Sequence, residues 1–215
     1  MKTSLKQLAV VLVTLILIAG LAVLFFKTGS ANASTIHVAC VGDSITRDTQ
    51  YPQILSTMLG ANYTVANFGV GRTTVSLQFN KPYMNQSAFQ NAQRFNPDIV
   101  VIMLGTNDAY LCQQERENFV DDYKALINSF QSLPSTPKIY IAIPPPVFNN
   151  TMGLPASVLD DEVIPLVKQM ASDFTLPTID LHTPLLDNPQ CFPDGVHPDA
   201  AGSEVIATEI YDAIT

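Results

Sequence analysis

The amino-acid sequence predicts an α/β domain in which a parallel β-sheet lies between two layers of helices. Short apolar runs alternate with amphipathic segments along the chain, and this alternation is typical of repeated βα units. The clearest apolar run, Asp98–Leu104 (DIVVIML), has no polar residue after its first, so both faces of this strand are expected to be buried. Polar motifs follow directly after several of the runs. In parallel sheets, ligands bind beyond the carboxyl ends of the strands, so these motifs indicate where the functional site lies.

Five strands are predicted, each a short apolar run that gives way to glycine, proline or polar residues typical of turns. The first run ends before Gly42, where the chain can turn and present Ser44 just past the strand. In chain order, the predicted strands are Thr35–Val41, Tyr63–Phe68, Asp98–Leu104, Lys138–Ile143 and Thr178–Leu181.

Five amphipathic segments between and after the strands predict helices that cover both faces of the sheet. The second of these helices stops before Pro97, since the residue that precedes a proline avoids helical backbone angles. In chain order, the predicted helices are Tyr51–Leu59, Ala88–Phe95, Glu115–Ser132, Ser157–Phe174 and Asp199–Ile214.

Length and charge restrict the class of protein. The chain has 215 residues, of which 47% are hydrophobic and 14% charged. Residues 35–215 are therefore predicted to form one well-packed domain. With 11 basic and 19 acidic residues the net charge is -8, whereas phosphate recognition depends on lysine and arginine. No nucleic-acid partner is expected.

Residues 1–34 have the features of a membrane-targeting segment. Lysines precede an uncharged apolar stretch, Leu8–Phe26, whose length is close to the ~20 residues that span a bilayer. Ala31-Asn32-Ala33 also fits a signal-peptidase site, so the segment is either an uncleaved anchor or a signal peptide cleaved after Ala33. Because more positive charge precedes the stretch than follows it, the domain is expected outside the cytoplasm, either membrane-anchored or secreted.

Three cysteines are dispersed along the chain, as expected of an exported protein with few disulfides. Cys40 lies in an apolar run and is predicted to be a buried free thiol. Cys112 and Cys191 fall in loops next to the polar motifs, where they form either a disulfide or two unpaired thiols. The three histidines show no zinc-ligand spacing, so no metal site is expected.

Two of the polar motifs have the residue types of nucleophilic catalysis. Ser44 lies in Gly42-Asp43-Ser44, and a serine hydroxyl becomes a useful nucleophile when a base and an orienting group are within hydrogen-bond reach. Asp194-Gly195-Val196-His197 places a carboxylate three residues before an imidazole. Asp194 can therefore accept a hydrogen bond from one ring nitrogen of His197, which leaves the other nitrogen for Ser44. Taken singly, each motif also fits an ordinary turn or a helix cap.

Two further motifs could supply hydrogen-bond donors for the oxyanion of an acyl-transfer reaction. The segment Asn67–Thr73 (NFGVGRT) contains Gly69 and Gly71, and glycine leaves backbone N–H groups accessible. Asn107, in Gly105-Thr106-Asn107-Asp108, brings a side-chain amide. Simple turns explain these residues equally well when each motif is considered alone.

The four motifs together, in the order GDS, N-x-G, GTND and D-x-x-H, resemble the SGNH/GDSL hydrolases, and the resemblance runs from about Ile36 to the last helix. It implies a flavodoxin-like three-layer α/β/α sandwich with a five-stranded parallel sheet and no cofactor. It also implies Ser44 as nucleophile, His197 as base and Asp194 as the residue that orients the base. The implied oxyanion hole consists of the Ser44 N–H, the Gly71 N–H and the Asn107 side chain.

The second motif departs from the family pattern. The family commonly has N-x-G-x-x-G-x-T, whereas here one residue separates Gly69 from Gly71. The donor is therefore either Gly71 or a neighbouring amide such as Arg72. The absence of G-x-S-x-G argues against an ordinary α/β-hydrolase.

The resemblance implies an exported serine esterase that hydrolyses short acyl esters, with acetylated carbohydrates as the expected substrates. A lysophospholipase or thioesterase is the alternative enzyme, and a membrane-tethered glycan-binding module without catalysis is the alternative of a different class. Arg47 and Tyr110 lie beside the motifs and either line the pocket or occupy exposed loops. The loops Gln113–Asn118 and Pro144–Pro155 are expected to form the pocket wall.

Overall fold

The computed structural model describes residues 35–79, 81–111 and 118–215. A parallel sheet of five strands, in the order β2-β1-β3-β4-β5, forms the centre of the fold. The predicted α/β fold is confirmed. Because β1 lies between β2 and β3, the sheet has a switch point beside β1, where doubly wound sheets bind their ligands. The strands are β1 Ile36–Gly42, β2 Tyr63–Gly69, β3 Ile99–Met103, β4 Lys138–Ile143 and β5 Thr178–Asp180.

The α-helices follow the predicted order, with one addition directly after β1. The predicted helix Ser157–Phe174 is interrupted by a π-helical turn, Leu159–Val163, and so consists of α5, this turn and α6. The α-helices are α1 Ser44–Asp48, α2 Tyr51–Leu59, α3 Ser87–Arg94, α4 Phe119–Gln131, α5 Ala156–Val158, α6 Ile164–Asp173 and α7 Ala200–Ile214. Single 3-10 turns occupy Gly60–Asn62, Tyr83–Asn85, Thr106–Tyr110, Thr183–Leu185 and Pro189–Cys191.

The sheet separates two apolar cores. In β3, Val100 and Ile102 point into the core that α3, α4 and α6 cover, and Val101 and Met103 point into the core that α2 and α7 cover. Successive side chains of a strand alternate between the two faces of the sheet. An apolar run without polar alternation is therefore what a strand covered on both faces requires.

The strand register brings the polar motifs together. Gly42 at the end of β1 pairs with Gly69 of β2 on one side and with Met103 of β3 on the other. The segments that follow these residues contain Ser44, Arg72 and Asn107, so all three begin at the same edge of the sheet.

Two predictions about the cysteines have different outcomes. Cys40 is a buried free thiol, as predicted. The Cys112–Cys191 disulfide is not supported, because Cys191 is a free thiol buried in the core beside α7, and Cys112 lies outside the described residues.

The predicted anchor or signal segment, residues 1–34 with the apolar stretch Leu8–Phe26, also lies outside the described residues. Within residues 35–79, 81–111 and 118–215, no helix is both long and apolar enough to cross a bilayer.

Candidate active site

Ser44 is the first residue of α1, directly after β1. Asp43 caps this helix, since its Oδ1 accepts a hydrogen bond from the Ile45 N–H at 2.9 Å. The turn requires glycine at position 42, because a Cβ there would overlap the Thr46 side chain and lie 2.8 Å from the Met103 carbonyl oxygen. The backbone therefore makes a tight turn that carries Ser44 beyond the edge of the sheet.

The structure brings Ser44, His197 and Asp194 together in one hydrogen-bonded chain. His197 Nε2 lies 2.8 Å from Ser44 Oγ, and His197 Nδ1 lies 2.7 Å from Asp194 Oδ2. The carboxylate also accepts hydrogen bonds at Oδ1 from the N–H groups of Val196, at 2.9 Å, and His197, at 2.7 Å. An imidazole held in this way can take a proton from the serine hydroxyl.

The turn from Asp194 to His197 is anchored to the loop after β4. Gly195 has φ +80°, a left-handed conformation that glycine adopts without strain. Its carbonyl oxygen accepts a hydrogen bond from the Phe148 N–H at 2.8 Å, and a Cβ at this position would collide with the Asn149 carbonyl group. A side chain at position 195 would therefore displace the histidine from the serine.

The electrostatics favour an ionised Asp194. Partial burial alone would raise the pKa of this carboxyl, but the hydrogen bonds from the His197 backbone, the His197 ring and the Val196 N–H outweigh that effect and lower the pKa. The Asp194 side chain is 42% exposed and that of His197 is 26% exposed. The pair therefore lies at the rim of the site and not in the protein core.

Gly105 precedes the 3-10 turn that follows β3, and its φ of +125° is one that a residue with a side chain would adopt only with strain. Asn107 lies on this turn. Its side-chain Nδ2 donates to the Thr73 carbonyl oxygen at 3.0 Å and to Asp43 Oδ2 at 3.3 Å. Asn107 is 8% exposed and lines the same cavity as Ser44 and His197. The Asn107 amide is thus held in place at the cavity that Ser44 also lines.

The second motif forms a turn in which Thr73 N–H donates to the Val70 carbonyl oxygen at 3.4 Å. Gly71 packs against the Arg47 guanidinium, and its carbonyl oxygen accepts a hydrogen bond from Lys81 Nζ at 2.8 Å. Arg72, with φ +64°, lines the cavity, whereas Gly71 does not. Among the described residues, neither of these two N–H groups has a hydrogen-bond acceptor. The turn therefore leaves donors available beside the cavity.

Asp43 and Asp108 are two buried carboxyl groups that the sequence did not assign to the site. Burial raises the pKa of Asp43 to about 6, against the opposing effect of its hydrogen bond from Ile45. Burial likewise raises the pKa of Asp108 to about 7, although this carboxyl accepts hydrogen bonds from the N–H groups of Val75 and Ser76 at 3.0 and 2.9 Å. The signal was present in the sequence, since both aspartates stand directly beside a candidate site residue at the end of a strand.

A cavity of about 610 Å³ opens over Ser44 and His197. The expected lining residues Arg47 and Tyr110 are both part of its wall, and the loop Pro144–Pro155 contributes Met152 and Leu154. Of the other loop expected in the wall, residues 113–117 lie outside the described part of the chain. The remaining lining residues are Asp48, Arg72, Phe79, Asn107 and Val196.

The residues that the structure describes contain no group of three or more His, Cys, Asp or Glu side chains that could hold a metal ion. The polar groups in the described lining of the cavity include the Ser44 hydroxyl, the His197 imidazole, the Asn107 amide and the side chains of Arg47, Asp48 and Arg72.

Comparison with known protein families gives a match over most of the chain. Residues 40–205 match the GDSL-like Lipase/Acylhydrolase family. An acetylxylan esterase of Xylanibacter ruminicola is 34% identical over 206 residues, which cover 83% of this chain and 43% of that protein. A multidomain esterase of Ruminococcus flavefaciens is 27% identical over 119 residues, 52% of this chain and 15% of that protein. The chain thus spans less than half the length of these relatives.

Solved structures share the fold. An acetyl xylan esterase is 20% identical with a TM-score of 0.69, and the match covers 84% of this chain and 100% of that one. A carbohydrate acetylesterase from Sinorhizobium meliloti is 18% identical with a TM-score of 0.64, covering 84% of this chain and 98% of that one. At these identities the likeness establishes the three-layer architecture alone.

Proposed function

This chain belongs to the GDSL-like Lipase/Acylhydrolase family, and we propose that, as a carboxylic ester hydrolase, it removes acetyl groups from carbohydrates. The observation that carries the proposal is the unbroken hydrogen-bond chain from Ser44 through His197 to Asp194, which opens into a cavity lined by Asn107. Acetyl esters of carbohydrates are proposed as substrates because the 34% identical relative is an acetylxylan esterase.

In the proposed first step, His197 Nε2 takes the Ser44 proton as Ser44 Oγ attacks the ester carbonyl carbon. Asp194 holds the ring so that Nδ1 keeps its proton and Nε2 is the free base. His197 then donates the proton to the leaving alcohol oxygen, and the acetyl group remains on Ser44. A water molecule then attacks the acetyl carbon and gives up a proton to His197, which passes it to Ser44 Oγ as acetate leaves.

The oxyanion that forms during both steps needs preorganised donors. We assign this role to the Ser44 N–H, to an amide of the Gly71–Arg72 turn and to the Asn107 side chain. Both hydrogens of the Asn107 amide already have acceptors, but the bond to Asp43 is the longer of the two at 3.3 Å. That hydrogen is the one available to turn toward the oxyanion.

Hydrolysis of 4-nitrophenyl acetate, butyrate and octanoate tests the proposal. We expect acetate to be the preferred ester and activity to vanish in Ser44→Ala. Ser56→Ala, on α2 and outside the cavity lining, is the matched control and should leave turnover unchanged. Preference for octanoate would favour a lipid hydrolase instead, and the absence of turnover on all three esters would favour a glycan-binding module.

Export remains part of the proposal. It is supported by the lysines and the apolar stretch Leu8–Phe26 that precede the domain. Fractionation of cells that express the full chain tests it: an anchored protein stays with the membranes, a cleaved one starts at Ser34 in the medium or cell envelope, and an uncleaved protein in the cytosol would contradict export.

A further inference from the structure

Arg72 has an unusual backbone conformation at the edge of the catalytic cavity. Its φ of +64° lies in the left-handed region, which glycine enters freely and which is costly for a long side chain. Gly71 is the preceding residue of the same turn, yet the left-handed position carries an arginine. Strained backbone at a functional site points to a use for the side chain that is held there.

Among the residues that the structure describes, the Arg72 guanidinium has no acidic partner. The described ion pairs do not include it, and its side chain lines the cavity with Ser44 and His197. Arg47, the other arginine among the described lining residues, is neutralised by Asp48 through hydrogen bonds of 2.5 and 2.6 Å. In a chain of net charge -8, Arg72 is therefore the uncompensated positive charge among the described residues that line this cavity.

An exposed aromatic ring lies close to this charge. Tyr110 is 41% exposed, and its hydroxyl donates to the Met152 carbonyl oxygen at 3.0 Å, which fixes the ring at the cavity wall. Burial raises the pKa of Tyr110, and the positive charge of Arg72 opposes that rise, as expected of neighbouring groups. A fixed aromatic ring offers an apolar surface to the C–H face of a sugar.

We propose that Arg72 binds the carboxylate of a uronic acid, so that the preferred substrates are acetylated glycans that carry acidic sugars. This inference rests on the proposed esterase function and specifies its substrate class. In it, the sugar ring packs against Tyr110 while the guanidinium forms a charge-assisted hydrogen bond to the carboxylate. A neutral glycan would meet the same wall without that bond.

The test uses pairs of substrates that differ only in this charge: mono-O-acetylated methyl glucosides and methyl glucuronosides, matched in the acetylated position. Acetate release by the full-length protein gives kcat/KM for each member. We expect kcat/KM to be about fivefold higher for the glucuronoside, which is the size of effect that a solvent-exposed ion pair provides. The difference should lie in KM, with kcat the same for both substrates. Raising NaCl to about 0.5 M should reduce the preference because salt screens exposed charges.

Variants assign the preference to the side chain. The ratio of the two kcat/KM values cancels any effect on the oxyanion hole, which acts equally on both substrates. Arg72→Gln and Arg72→Gly should bring the ratio to one or below, and glycine suits the backbone of this turn. Arg72→Lys should retain part of the preference and Arg72→Glu should invert it. Arg94→Gln, which removes an arginine of α3 outside the cavity lining, is the matched control and should keep the wild-type ratio.

The two proposals fail in different ways. Acetate release from both substrates with a ratio near one, or with a preference that survives Arg72→Gln, would overturn the role of Arg72 and leave the esterase intact. A protein that releases acetate from neither substrate, nor from 4-nitrophenyl acetate, would overturn the proposed function itself and the role of Arg72 with it.

Discussion

Replacing Asp194 with asparagine tests the proposed mechanism most directly. The backbone N–H groups of Val196 and His197 already use Oδ1, so the new NH₂ group would take the place of Oδ2, opposite the His197 ring. An amide donor at this position favours the tautomer with its proton on Nε2, which cannot accept the Ser44 proton. In serine hydrolases with a buried aspartate this change lowers kcat by ~10⁴. Because Asp194 is 42% exposed, its charge is partly screened, and we expect a loss on the order of 10³-fold.

Steady-state hydrolysis of 4-nitrophenyl acetate measures this effect, and the loss should fall on kcat with KM nearly unchanged. Asp199→Asn is the matched control, because it makes the same chemical change five residues along the chain. Asp199 caps α7 through the Gly202 N–H, and asparagine caps a helix about as well as aspartate. A loss below tenfold in Asp194→Asn, with unchanged thermal stability, would refute the orienting role of Asp194.

Three further predictions concern residues of the loops around Ser44. Asn107→Ala removes a proposed oxyanion donor and should lower kcat by about 10²–10³-fold with a small change in KM, measured on the same ester. The pKa values of Asp43 and Asp108, raised by burial to about 6 and about 7, mean that the folded state keeps protons that the unfolded state has released. Their contribution to the free energy of unfolding is therefore full below about pH 4 and is lost as the pH rises to about 7. Urea denaturation across that range measures this loss, and Asp43→Asn and Asp108→Asn proteins with the same pH dependence as the wild type would contradict it. Gly105→Ala forces a side chain to φ +125° and brings a Cβ to 3.2 Å from Val163, so it should lower the free energy of unfolding by about 2 kcal/mol, measured by thermal unfolding. Gly153→Ala is the control and should cost less, because φ is +72° there and nothing lies within 4 Å of the added Cβ. Equal losses in the two variants would contradict a role for crowding at position 105.

The strands and the parallel sheet could be predicted from the sequence because burial on both faces leaves uninterrupted apolar runs. The strand Lys138–Ile143 is bounded by Pro137 and Pro144, and its predicted limits agree with the structure. Proline lacks a backbone donor and cannot continue a central strand, so the two prolines mark its ends. The helix Tyr51–Leu59 was equally well defined, because Gly60 takes φ +70° just after it.

Other features depend on contacts that a linear pattern does not display. The π-helical turn Leu159–Val163 directly precedes a helix with Pro165 in its first turn. Proline has no N–H to donate to the carbonyl of residue i-4, and its ring clashes with that carbonyl. The sequence alone does not show whether the helix ends at this point or continues through a π-helical turn. Cys191 was likewise a candidate for a disulfide because it falls in a loop beside a polar motif, whereas its side chain packs into the core beside α7.

The candidate site also contains residues that the sequence predicts and residues that it does not. Ser44, Asp194 and His197 could be selected from the sequence because the proposed reaction requires a nucleophile, a hydrogen-bond acceptor and a base, and two short motifs contain all three residue types. The second-motif donor could not be selected between Gly71 and Arg72, because backbone amides carry no side-chain signal. Only the turn geometry shows that Arg72 lines the cavity.

The two buried carboxyl groups explain how loops from three different strands keep a common geometry. Asp43, after β1, accepts a hydrogen bond from Asn107, after β3, and Asp108 accepts two from the N–H groups of Val75 and Ser76, which follow β2. The two oxygens of a carboxylate can accept hydrogen bonds from two N–H donors at once. An asparagine in the same place would accept only one of these bonds, because its NH₂ group is itself a donor and would lie opposite the second N–H. Burial of Asp43 and Asp108 raises their pKa values, so this arrangement costs stability at neutral pH. A chain that keeps both groups despite that cost gains fixed positions for the donors around Ser44, and preorganised donors are what acyl transfer requires.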